Sequence, residues 1–280
     1  MSGRLRAIAQ ENMEIVASGG YRTRSGREVS LAVAVAEATA GTRIYGPESV
    51  IPGEGGNGGT SPRPTVIEVT GESSTAAARR LAAHGPVAVL NFASARNPGG
   101  GYVRGAKAQE EALCRASALY ETLLRAPGYY TAHREQRTAF YSDRVIHSPA
   151  VPVFRDDHGE LLETPFKAGF LTCPAPNAGV IRRQEPGRAH EIPAALTRRA
   201  ERVLEVAALH RYPQLVLGAW GCGVFQNDPA QVAEAFRGLL TRPGRFAGTF
   251  ERVVFGILDR DGRVRDAFAR TLGEDAHSQP

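Results

Sequence analysis

The sequence contains few of the residues that mark disulfides, metal sites or membrane spans. It has only three cysteines, Cys114, Cys173 and Cys222, which are far apart and odd in number. This count argues against a disulfide framework, and the lack of CxxC, HxxxH and HExxH patterns argues against a classical metal centre. No run of about eighteen apolar residues occurs, so no membrane span is expected. We therefore expect neither a metal nor a cofactor.

The N-terminus lacks the features of a signal peptide. Its first residues, MSGRLRAIAQENMEIV, have neither the apolar middle nor the small-residue cleavage site that such a peptide needs. We expect a cytoplasmic protein that does not associate with membranes.

Lysine is nearly absent. Only Lys107 and Lys167 occur among the 34 basic residues, and all the others are arginines, with a formal net charge of +5. The codon bias of a GC-rich genome would explain this preference. A phosphate-bearing ligand would also explain it, because the guanidinium group binds phosphate through two hydrogen bonds. The charge alone does not decide between these explanations.

The first part of the chain differs in pattern from the rest. It predicts a helix over 4–17, a hairpin, a helix over 31–39 and a short strand over 43–45, followed by the stretch GPESVIPGEGGNGGTSPRP. A segment so rich in glycine and proline has little apolar surface to bury, which predicts a mobile loop. We expect residues 1–64 to form a largely helical extension that packs on a catalytic domain over 65–280.

From residue 65 onwards, apolar strands alternate with helices. The segments VAVLNF, QLVL and VVFGIL are almost purely apolar, which indicates a sheet covered on both faces. One helix is predicted to start near Ser73 or Ser74, and another to run over 110–125. The fold class is therefore α/β, a three-layer α/β/α sandwich.

Two glycine-rich loops follow strands. The first contains Gly99, Gly100 and Gly101 after VAVLNF, and the second is GAWGCGVF, 218–225, after QLVL. In open α/β sheets, ligands bind in the loops beyond the carboxyl ends of the strands. The second loop leads into a helix that Asn227 or Asp228 could cap, with Pro229 in the first turn, and such a helix start suits a phosphate group.

Neither loop matches a known nucleotide motif. GxxxxGK[ST] is absent, and GxGxxG does not occur in its usual context. A tight turn with positive φ would explain a single glycine in either loop. It explains three consecutive glycines less well, which favours close approach of a ligand.

A pair of glutamates, Glu110 and Glu111, follows Gln109 at the start of a predicted helix. A solvated acidic pair that stabilises the helix dipole is one interpretation. Adjacent helical side chains point about 100° apart, so two catalytic carboxyl groups here would have different roles. The helix N-terminus favours the ionised form, whereas burial and the like-charged neighbour raise the pKa. The sequence does not say which effect is larger.

The spacing from Gly99 to Glu111, a triple glycine, seven residues and then Gln-Glu-Glu, resembles the signature of poly(ADP-ribose) glycohydrolases. The segments NFASARNPGGG, YSDRVIHSPAVPVFRDDHG, PAPNAG and GAWGCGVFQND resemble the bacterial-type branch of that family. The resemblance implies a macrodomain-like fold with a mixed central sheet. It also implies binding of ADP-ribose and cleavage of the ribose–ribose O-glycosidic bonds of poly(ADP-ribose).

The resemblance also implies roles for individual residues. Glu111 is the expected acid/base, and Glu110 is expected to bind a hydroxyl of the departing ribose. Ordinary macrodomains have a second asparagine where this chain has Ser94, and Asn97 is a candidate to replace it. The implied substrate-binding residues are Asn91, Asn97, Gly99, Gly100, Gly101, Gln109, Gly221, Gly223, Val224 and Phe225, with Glu72 as an acidic contact to adenine and Phe268 as a ring that stacks on the base.

Two other functions remain open from the sequence. One is an ADP-ribose reader without activity, which would have no use for the Gln109–Glu111 triplet. The other is a mono-ADP-ribosyl hydrolase, which would share the fold and the loops. The expected partners are poly(ADP-ribose) and ADP-ribosylated proteins in the DNA damage response, with ADP-ribose as product. Direct DNA binding is not expected, and the protein is expected to be a monomer that cleaves from chain ends.

Two further side chains are expected to have structural roles. Trp220 is large and stands at a strand end, which favours the core. Cys222 has no histidine near it in sequence, which favours a small filler over a nucleophile.

Overall fold

The structure, a computed structural model, describes residues 2–49, 64–273 and 276–278. Most of the Gly/Pro-rich stretch predicted to be a mobile loop lies outside the described residues. The helices are α1 Gly3–Ser18, α2 Ala32–Gly41, α3 Ser74–Ala82, α4 Gln109–Ala116, α5 Leu119–Leu124, α6 Pro127–Glu135, α7 Ala178–Gln184, α8 Ile192–Leu209, α9 Pro229–Leu240 and α10 Arg263–Leu272. The strands are β1 Gly20–Arg22, β2 Glu28–Ser30, β3 Arg43–Tyr45, β4 Val66–Thr70, β5 Val87–Phe92, β6 Val145–Arg155, β7 Leu161–Cys173, β8 Gln214–Leu217, β9 Arg252–Gly256 and β10 Ala276–Ser278.

The central sheet is mixed, as the resemblance implies. Within the described residues it has eight strands in the order β10-β4-β9-β8-β5-β7-β6-β3. Neighbouring strands from β10 to β7 are parallel, whereas β6 is antiparallel to both β7 and β3. Strands β1 and β2 form a separate antiparallel hairpin.

The sheet is buried on both faces. Along β5, Val87 and Val89 belong to one apolar cluster, while Ala88 and Leu90 belong to the other. Because successive side chains of a strand point to opposite faces, this alternation places a hydrophobic core on each side of the sheet. One core includes residues of α8, α9 and α10, and the other includes residues of α1 to α6. The predicted three-layer α/β/α sandwich is confirmed.

The N-terminal segment shares this core. Strand β3 extends the central sheet by pairing with β6, with Arg43 opposite His147. Ala9 and Ile15 of α1 are buried in the same apolar cluster as Tyr102. The described part of residues 1–64 therefore contributes one strand to the central sheet and two helices to a flanking layer, and the division at residue 64 stays a prediction.

Two predicted helix starts are confirmed. Ser73 is the N-cap of α3, and its Oγ accepts a 3.0 Å hydrogen bond from Ala76 N–H. Asp228 is the N-cap of α9 and accepts from Ala230 N–H at 2.8 Å, with Pro229 in the first turn. These caps satisfy backbone donors that a helix leaves free at its start.

The predicted helix over 110–125 is wrong, because the structure has two helices there. Ser117 is extended (φ −146°, ψ 176°) and forms a bridge to Val153. Ala118 N–H also donates to Pro152 O at 3.1 Å. The chain therefore leaves the helix to pair with β6, which local propensity does not reveal. Helices α6 and α7 were not predicted at all.

The sheet topology has a switch point beside β5. The chain leaving β5 goes to β6 and β7 on one side, while the chain leaving β8 goes to β9 on the other. Since β5 and β8 are neighbouring parallel strands, the loops after them diverge at the same sheet edge. Ligands of open α/β folds bind at such a switch point. Both glycine-rich loops lie here.

Candidate active site

The two glycine-rich loops are anchored on one backbone carbonyl. Cys173 O, at the end of β7, accepts hydrogen bonds from Ala93 N–H at 3.3 Å and from Trp220 Nε1 at 3.0 Å. Trp220 is 1% exposed, so its predicted place in the core is confirmed. A Cβ on Gly218 would lie 3.0 Å from Phe92 Cζ, which shows how closely the second loop approaches the end of β5.

The triple glycine forms a tight turn that has little room for side chains. Gly99 and Gly100 have φ of +63° and +58°, in the left-handed region that favours glycine. A Cβ on Gly101 would lie 2.7 Å from Ala106 Cβ. The turn is closed by hydrogen bonds from Gly100 N–H to Asn97 O and from Tyr102 N–H to Gly99 O. Backbone conformation or lack of space therefore explains why each of the three positions is a glycine.

Gln109 fixes the start of α4 on the end of β5. Its Oε1 accepts from Phe92 N–H at 2.9 Å, and its Nε2 donates to Leu90 O at 2.8 Å and to Ser74 Oγ at 3.0 Å. A neighbouring parallel strand would make the same two backbone contacts, on either side of residue 91. The side-chain amide thus takes the place of a strand and sets the position of the next two residues.

Glu110 is buried and held from two directions. It is 3% exposed, and its Oε2 accepts a 2.7 Å hydrogen bond from Ser94 N–H. Its Oε1 accepts a 3.3 Å hydrogen bond from Asn91 Nδ2, which also donates to Thr172 Oγ1 at 3.1 Å. Asn91 is 0% exposed. In this structure Asn91 therefore orients Glu110, and its predicted contact to the substrate stays a prediction.

Glu111 is anchored by one oxygen only. Its Oε1 accepts a 2.8 Å hydrogen bond from Gly101 N–H. Its Oε2 is buried, and no described residue supplies a hydrogen-bond partner for it. Despite their different directions, the two glutamates converge on Gly100. A Cβ there would lie 2.5 Å from Glu111 Oε1 and 2.9 Å from Glu110 Oε2.

Burial decides the protonation of Glu110. Burial, together with the charge of Glu111, raises the pKa of Glu110 to about 8. The hydrogen bonds from Ser94 and Asn91 act in the opposite direction but are outweighed. At neutral pH Glu110 therefore keeps a proton.

The second loop combines a fixed base with an exposed tip. Gly221 has φ +72° and packs against Asn227, whose Nδ2 donates to Pro176 O at 2.8 Å. At the tip, a Cβ on Gly223 would meet nothing within 4 Å, and the Val224 side chain is 83% exposed. The tip of this loop is therefore open to a ligand.

Phe225 connects this loop to a neighbouring one. Its carbonyl accepts a 2.9 Å hydrogen bond from Gly179 N–H at the start of α7, and its half-buried ring lies 6.0 Å from that of Tyr141. Tyr141 has φ +59°, and Gln226, next to Phe225, has φ +56°. Non-glycine residues in this region are uncommon and concentrate at functional sites.

Phe268 and Glu72, which were predicted to contact adenine, contact other protein residues in the structure. Phe268 is 0% exposed and packs 5.6 Å from the ring of Phe255, so the prediction that it stacks on a base is wrong for this structure. Glu72 binds Arg80 through both oxygens, at 3.0 and 2.7 Å. This hydrogen bonding lowers the pKa of Glu72 and occupies the carboxylate that was expected to meet adenine.

Ser94 orders the loop after β5, a role that was not predicted from the sequence. Its N–H holds Glu110, and its Oγ accepts from Arg96 N–H and Asn97 N–H at 3.3 and 3.2 Å. Asn97 is exposed at the start of the triple-glycine turn. A serine that bonds the backbone two and three residues ahead is a turn signal, which could have been noticed in the sequence.

The described residues contain no group of three or more histidine, cysteine or acidic side chains that could hold a metal ion. In the same part of the chain, no helix is both long and apolar enough to cross a membrane. Burial raises the pKa of the half-buried Cys222 thiol to about 12, which suits a filler better than a nucleophile.

The mixed α/β/α sandwich, the glycine turn at its switch point and the buried glutamate pair define a macrodomain-like hydrolase. The family described as microbial-type PARG, catalytic domain, matches residues 9–156, more than half of the chain. The chain belongs to this family and is a glycosidase. Among curated proteins, none matches it.

Solved structures of bacterial enzymes are similar over nearly the whole chain. Poly(ADP-ribose) glycohydrolase from Thermomonospora curvata is 50% identical, with a TM-score of 0.92, 96% of this chain covered and 100% of that one. The same enzyme bound to the inhibitor ADP-HPD is 49% identical, with a TM-score of 0.89, and the match covers 96% of this chain and 99% of that one. The enzyme from Deinococcus radiodurans in complex with ADP-ribose is 45% identical, with a TM-score of 0.76, and the match covers 85% of this chain and 96% of that one.

Proposed function

We propose that this protein hydrolyses the ribose–ribose O-glycosidic bonds of poly(ADP-ribose) and releases ADP-ribose. The observation that carries the proposal is the free, buried Oε2 of Glu111 beside the triple-glycine turn. The turn lets a sugar approach, and this oxygen has no competing partner among the described residues. The solved relatives that hold ADP-ribose and ADP-HPD support the same substrate.

Glu111 acts first as acid and then as base. Its proton goes to the glycosidic oxygen of the departing ribose while the bond from the anomeric carbon to that oxygen breaks. The resulting oxocarbenium-like centre is then attacked by water, whose proton returns to the Glu111 carboxylate. ADP-ribose leaves with a hydroxyl on its anomeric carbon. Gly101 N–H holds Oε1 throughout, so Oε2 keeps its direction.

Glu110 binds a hydroxyl of the departing ribose and shifts the proton to Glu111. In the free protein the Glu110 pKa is about 8, although Ser94 and Asn91 donate hydrogen bonds to it. A substrate hydroxyl that also donates to Glu110 favours its ionised form. The proton then lies on Glu111, next to the bond to be broken. One oxygen of each carboxyl group, Glu111 Oε1 and Glu110 Oε2, lies beside Gly100.

The second loop binds the rest of the ADP-ribose unit. Gly221 and Gly223 leave the backbone open to the diphosphate, and Phe225 packs on the distal ribose. Val224 is 83% exposed and gains an apolar partner when the ligand is present. Asn97 and the backbone of Gly99 line the opposite side of the terminal ribose.

Several finer features of the proposal rest on the family resemblance. The enzyme trims polymers from their ends and acts on ADP-ribosylated proteins in the cytoplasm after DNA damage. It works as a monomer, without direct contact to DNA. Residues 65–280 carry the catalytic site, and residues 1–64 pack against it.

The test is incubation with poly(ADP-ribose) and analysis of product size. Wild-type protein should release ADP-ribose, with the alkaline limb of its pH profile near the Glu110 pKa of about 8. Glu111→Gln should abolish release but keep ADP-ribose affinity within about tenfold, or 1.4 kcal/mol. Glu110→Gln should also reduce turnover strongly, through lost positioning. Glu14→Gln, at an exposed position on α1, is the matched control and should be fully active.

Three results would contradict the proposal. Binding of ADP-ribose without any release from the polymer would indicate a reader. Release only from mono-ADP-ribosylated proteins would indicate a mono-ADP-ribosyl hydrolase. Full activity of Glu111→Gln would show that another group is the acid.

A further inference from the structure

A buried asparagine lies in the middle of the N-terminal helix α1. Asn12 is 2% exposed and lies between Ala9 and Ile15, the other buried residues of this helix. Asparagine is a weak helix former, because its side chain competes with the backbone for hydrogen bonds, and a buried amide is costly unless it is paired. We therefore expect its side chain to bind another part of the fold.

The partner of Asn12 is the end of α4, the helix that carries both glutamates. Asn12 Nδ2 donates to Arg115 O at 2.6 Å and to Cys114 O at 3.4 Å, in the last turn of α4. The last carbonyls of a helix have no partner within it, and the residue after α4, Ser117, is extended. Asn12 thus supplies hydrogen bonds that α4 does not make itself.

Arg155 holds the Asn12 amide in one orientation. Asn12 Oδ1 accepts a 2.6 Å hydrogen bond from Arg155 Nε, and Arg155 Nη1 donates to Gly159 O at 2.7 Å, in the loop between β6 and β7. Arg155 is 3% exposed, so water does not compete for this contact. A guanidinium group only donates hydrogen bonds, so the amide oxygen must face Arg155 and the amide nitrogen must face α4.

The same face of α1 also holds the chain before the glutamates. Ala9 O, three residues before Asn12, accepts a 3.2 Å hydrogen bond from Tyr102 OH, directly after the triple glycine. Gly105 lies close against α1, because a Cβ there would be 3.0 Å from Arg6 Cγ. The N-terminal helix therefore contacts the chain both before and after the two glutamates.

Resting on the proposed function, we propose that Asn12 is a positioning residue, which fixes the end of α4 and through it the carboxyl group of Glu111. Gln109 fixes the start of the same helix on β5, so the two amides hold α4 at both ends. Glu111 lies about one helical turn before Arg115. A shift of the helix end therefore changes the hydrogen bond between Glu111 Oε1 and Gly101 N–H, and with it the direction of Oε2. A misplacement of about 1 Å costs about a hundredfold in rate.

Asn12→Asp removes the contact to α4 and keeps the contact to Arg155. The carboxylate still accepts from Arg155 Nε, but it cannot donate to the two carbonyls, and its charge is unfavourable at the end of a helix. We expect kcat on poly(ADP-ribose) to fall about tenfold to a hundredfold, with KM and ADP-ribose affinity changed less than about threefold. Asn12→Ala, which adds no charge, should lower kcat to a similar extent. Thermal unfolding verifies that each variant is folded.

Gln214→Met is the matched control. Gln214 is also a buried side-chain amide, and its Nε2 donates a 3.2 Å hydrogen bond to Leu81 O in the last turn of α3. The variant loses the same kind of contact at a helix that carries neither glutamate. It should lower the free energy of unfolding and leave kcat unchanged. An equal fall of kcat in Gln214→Met would overturn the inference, because a general loss of stability would then explain both effects.

A second measurement does not depend on turnover. The Gly101 amide proton reports its hydrogen bond to Glu111 Oε1 through its NMR chemical shift and its rate of exchange with solvent. We expect this signal to move upfield and to exchange faster in both Asn12 variants, and to stay unchanged in Gln214→Met.

Two outcomes are kept apart by this measurement. An unchanged Gly101 signal, or a wild-type kcat, in both Asn12 variants would overturn the inference. A wild-type protein that releases no ADP-ribose would overturn the proposed function instead, and the Gly101 signal would still test the role of Asn12.

Discussion

Glu111 reaches back ten residues to Gly101, whose backbone N–H donates a 2.8 Å hydrogen bond to its Oε1. This bond connects the helix that carries the acid to the turn that admits the sugar. The geometry of the acid therefore depends on the backbone of the turn, and a change of one glycine should act on catalysis directly.

Gly100→Ala should inactivate the enzyme. The new Cβ would lie 2.5 Å from Glu111 Oε1 and 2.9 Å from Glu110 Oε2, so both carboxyl groups would have to move. The left-handed backbone at φ +58° also costs an alanine about 1–2 kcal/mol. We expect kcat/KM on poly(ADP-ribose) to fall at least about a hundredfold, or roughly 2.7 kcal/mol.

Gly238→Ala is the control for this change. Gly238 lies inside α9, where a Cβ would meet nothing within 4 Å. Alanine there should stabilise the helix by about 0.5–1 kcal/mol and leave activity unchanged. If Gly100→Ala retained wild-type kcat/KM, the carboxylates would not be held as tightly as the structure shows.

Gln109→Leu should reduce both stability and turnover. Leucine keeps a similar volume but leaves Phe92 N–H and Leu90 O without the partners they have now. A buried backbone group that loses its hydrogen bond costs about 1–3 kcal/mol. Because the start of α4 is then no longer fixed on β5, we expect kcat to fall more than KM rises. Urea unfolding and steady-state kinetics measure the two effects, and a variant with normal kcat would contradict the positioning role.

The sequence was informative where local pattern and chemistry coincide. Apolar strands separated by helices predicted the layers, and the spacing from Gly99 to Glu111 predicted the site. Ser73 and Asp228 follow the usual preferences of helix starts, so their caps were predictable. The direction of each glutamate was not, because it depends on Ser94 and Gly101, which come close only in the folded chain.

Other features depend on tertiary contacts. Nothing in RASALY marks a helix end, yet Ser117 leaves the helix because it pairs with Val153. Helix α6 begins with Pro-Gly, which locally favours a turn, and the packing of Tyr129 and Tyr130 stabilises it. Phe268 could have been interpreted better, because Val264, Phe268 and Leu272 are spaced four apart, as on the buried face of a helix.

Val224→Ala should weaken substrate binding without a loss of stability. The Val224 side chain is 83% exposed in the free protein, so its truncation removes no core contact. If the ligand covers it, the two lost methyl groups are worth about 0.8 kcal/mol each, and KM should rise by up to about fifteenfold. Val33→Ala, 69% exposed on α2, is the control and should change neither KM nor stability. An unchanged KM in Val224→Ala would place the ligand elsewhere.

The free energy of unfolding should fall as the pH drops below 6.5, in part because of His147. Its ring stacks on that of His210 at 3.6 Å, and its Nε2 is hydrogen-bonded to Tyr212 OH at 2.8 Å. Burial, and then the charge of His210, lowers the pKa of His147 to about 3. An unfolded histidine titrates near pH 6.5, so between these values the unfolded chain binds a proton that the folded one does not.

The contribution of His147 is therefore fully present above pH 6.5 and is lost as the pH falls toward 3. At pH 5 the loss should be about 2 kcal/mol, since each pKa unit corresponds to 1.36 kcal/mol. Urea unfolding at pH 7, 6 and 5 measures it as the slope of stability against pH. His147→Gln, which cannot titrate, should have a smaller slope than the wild type, whereas His190→Gln, at an exposed position, should match the wild type. Equal slopes in all three proteins would mean that His147 gains its proton without unfolding, and that the stacked pair tolerates the charge.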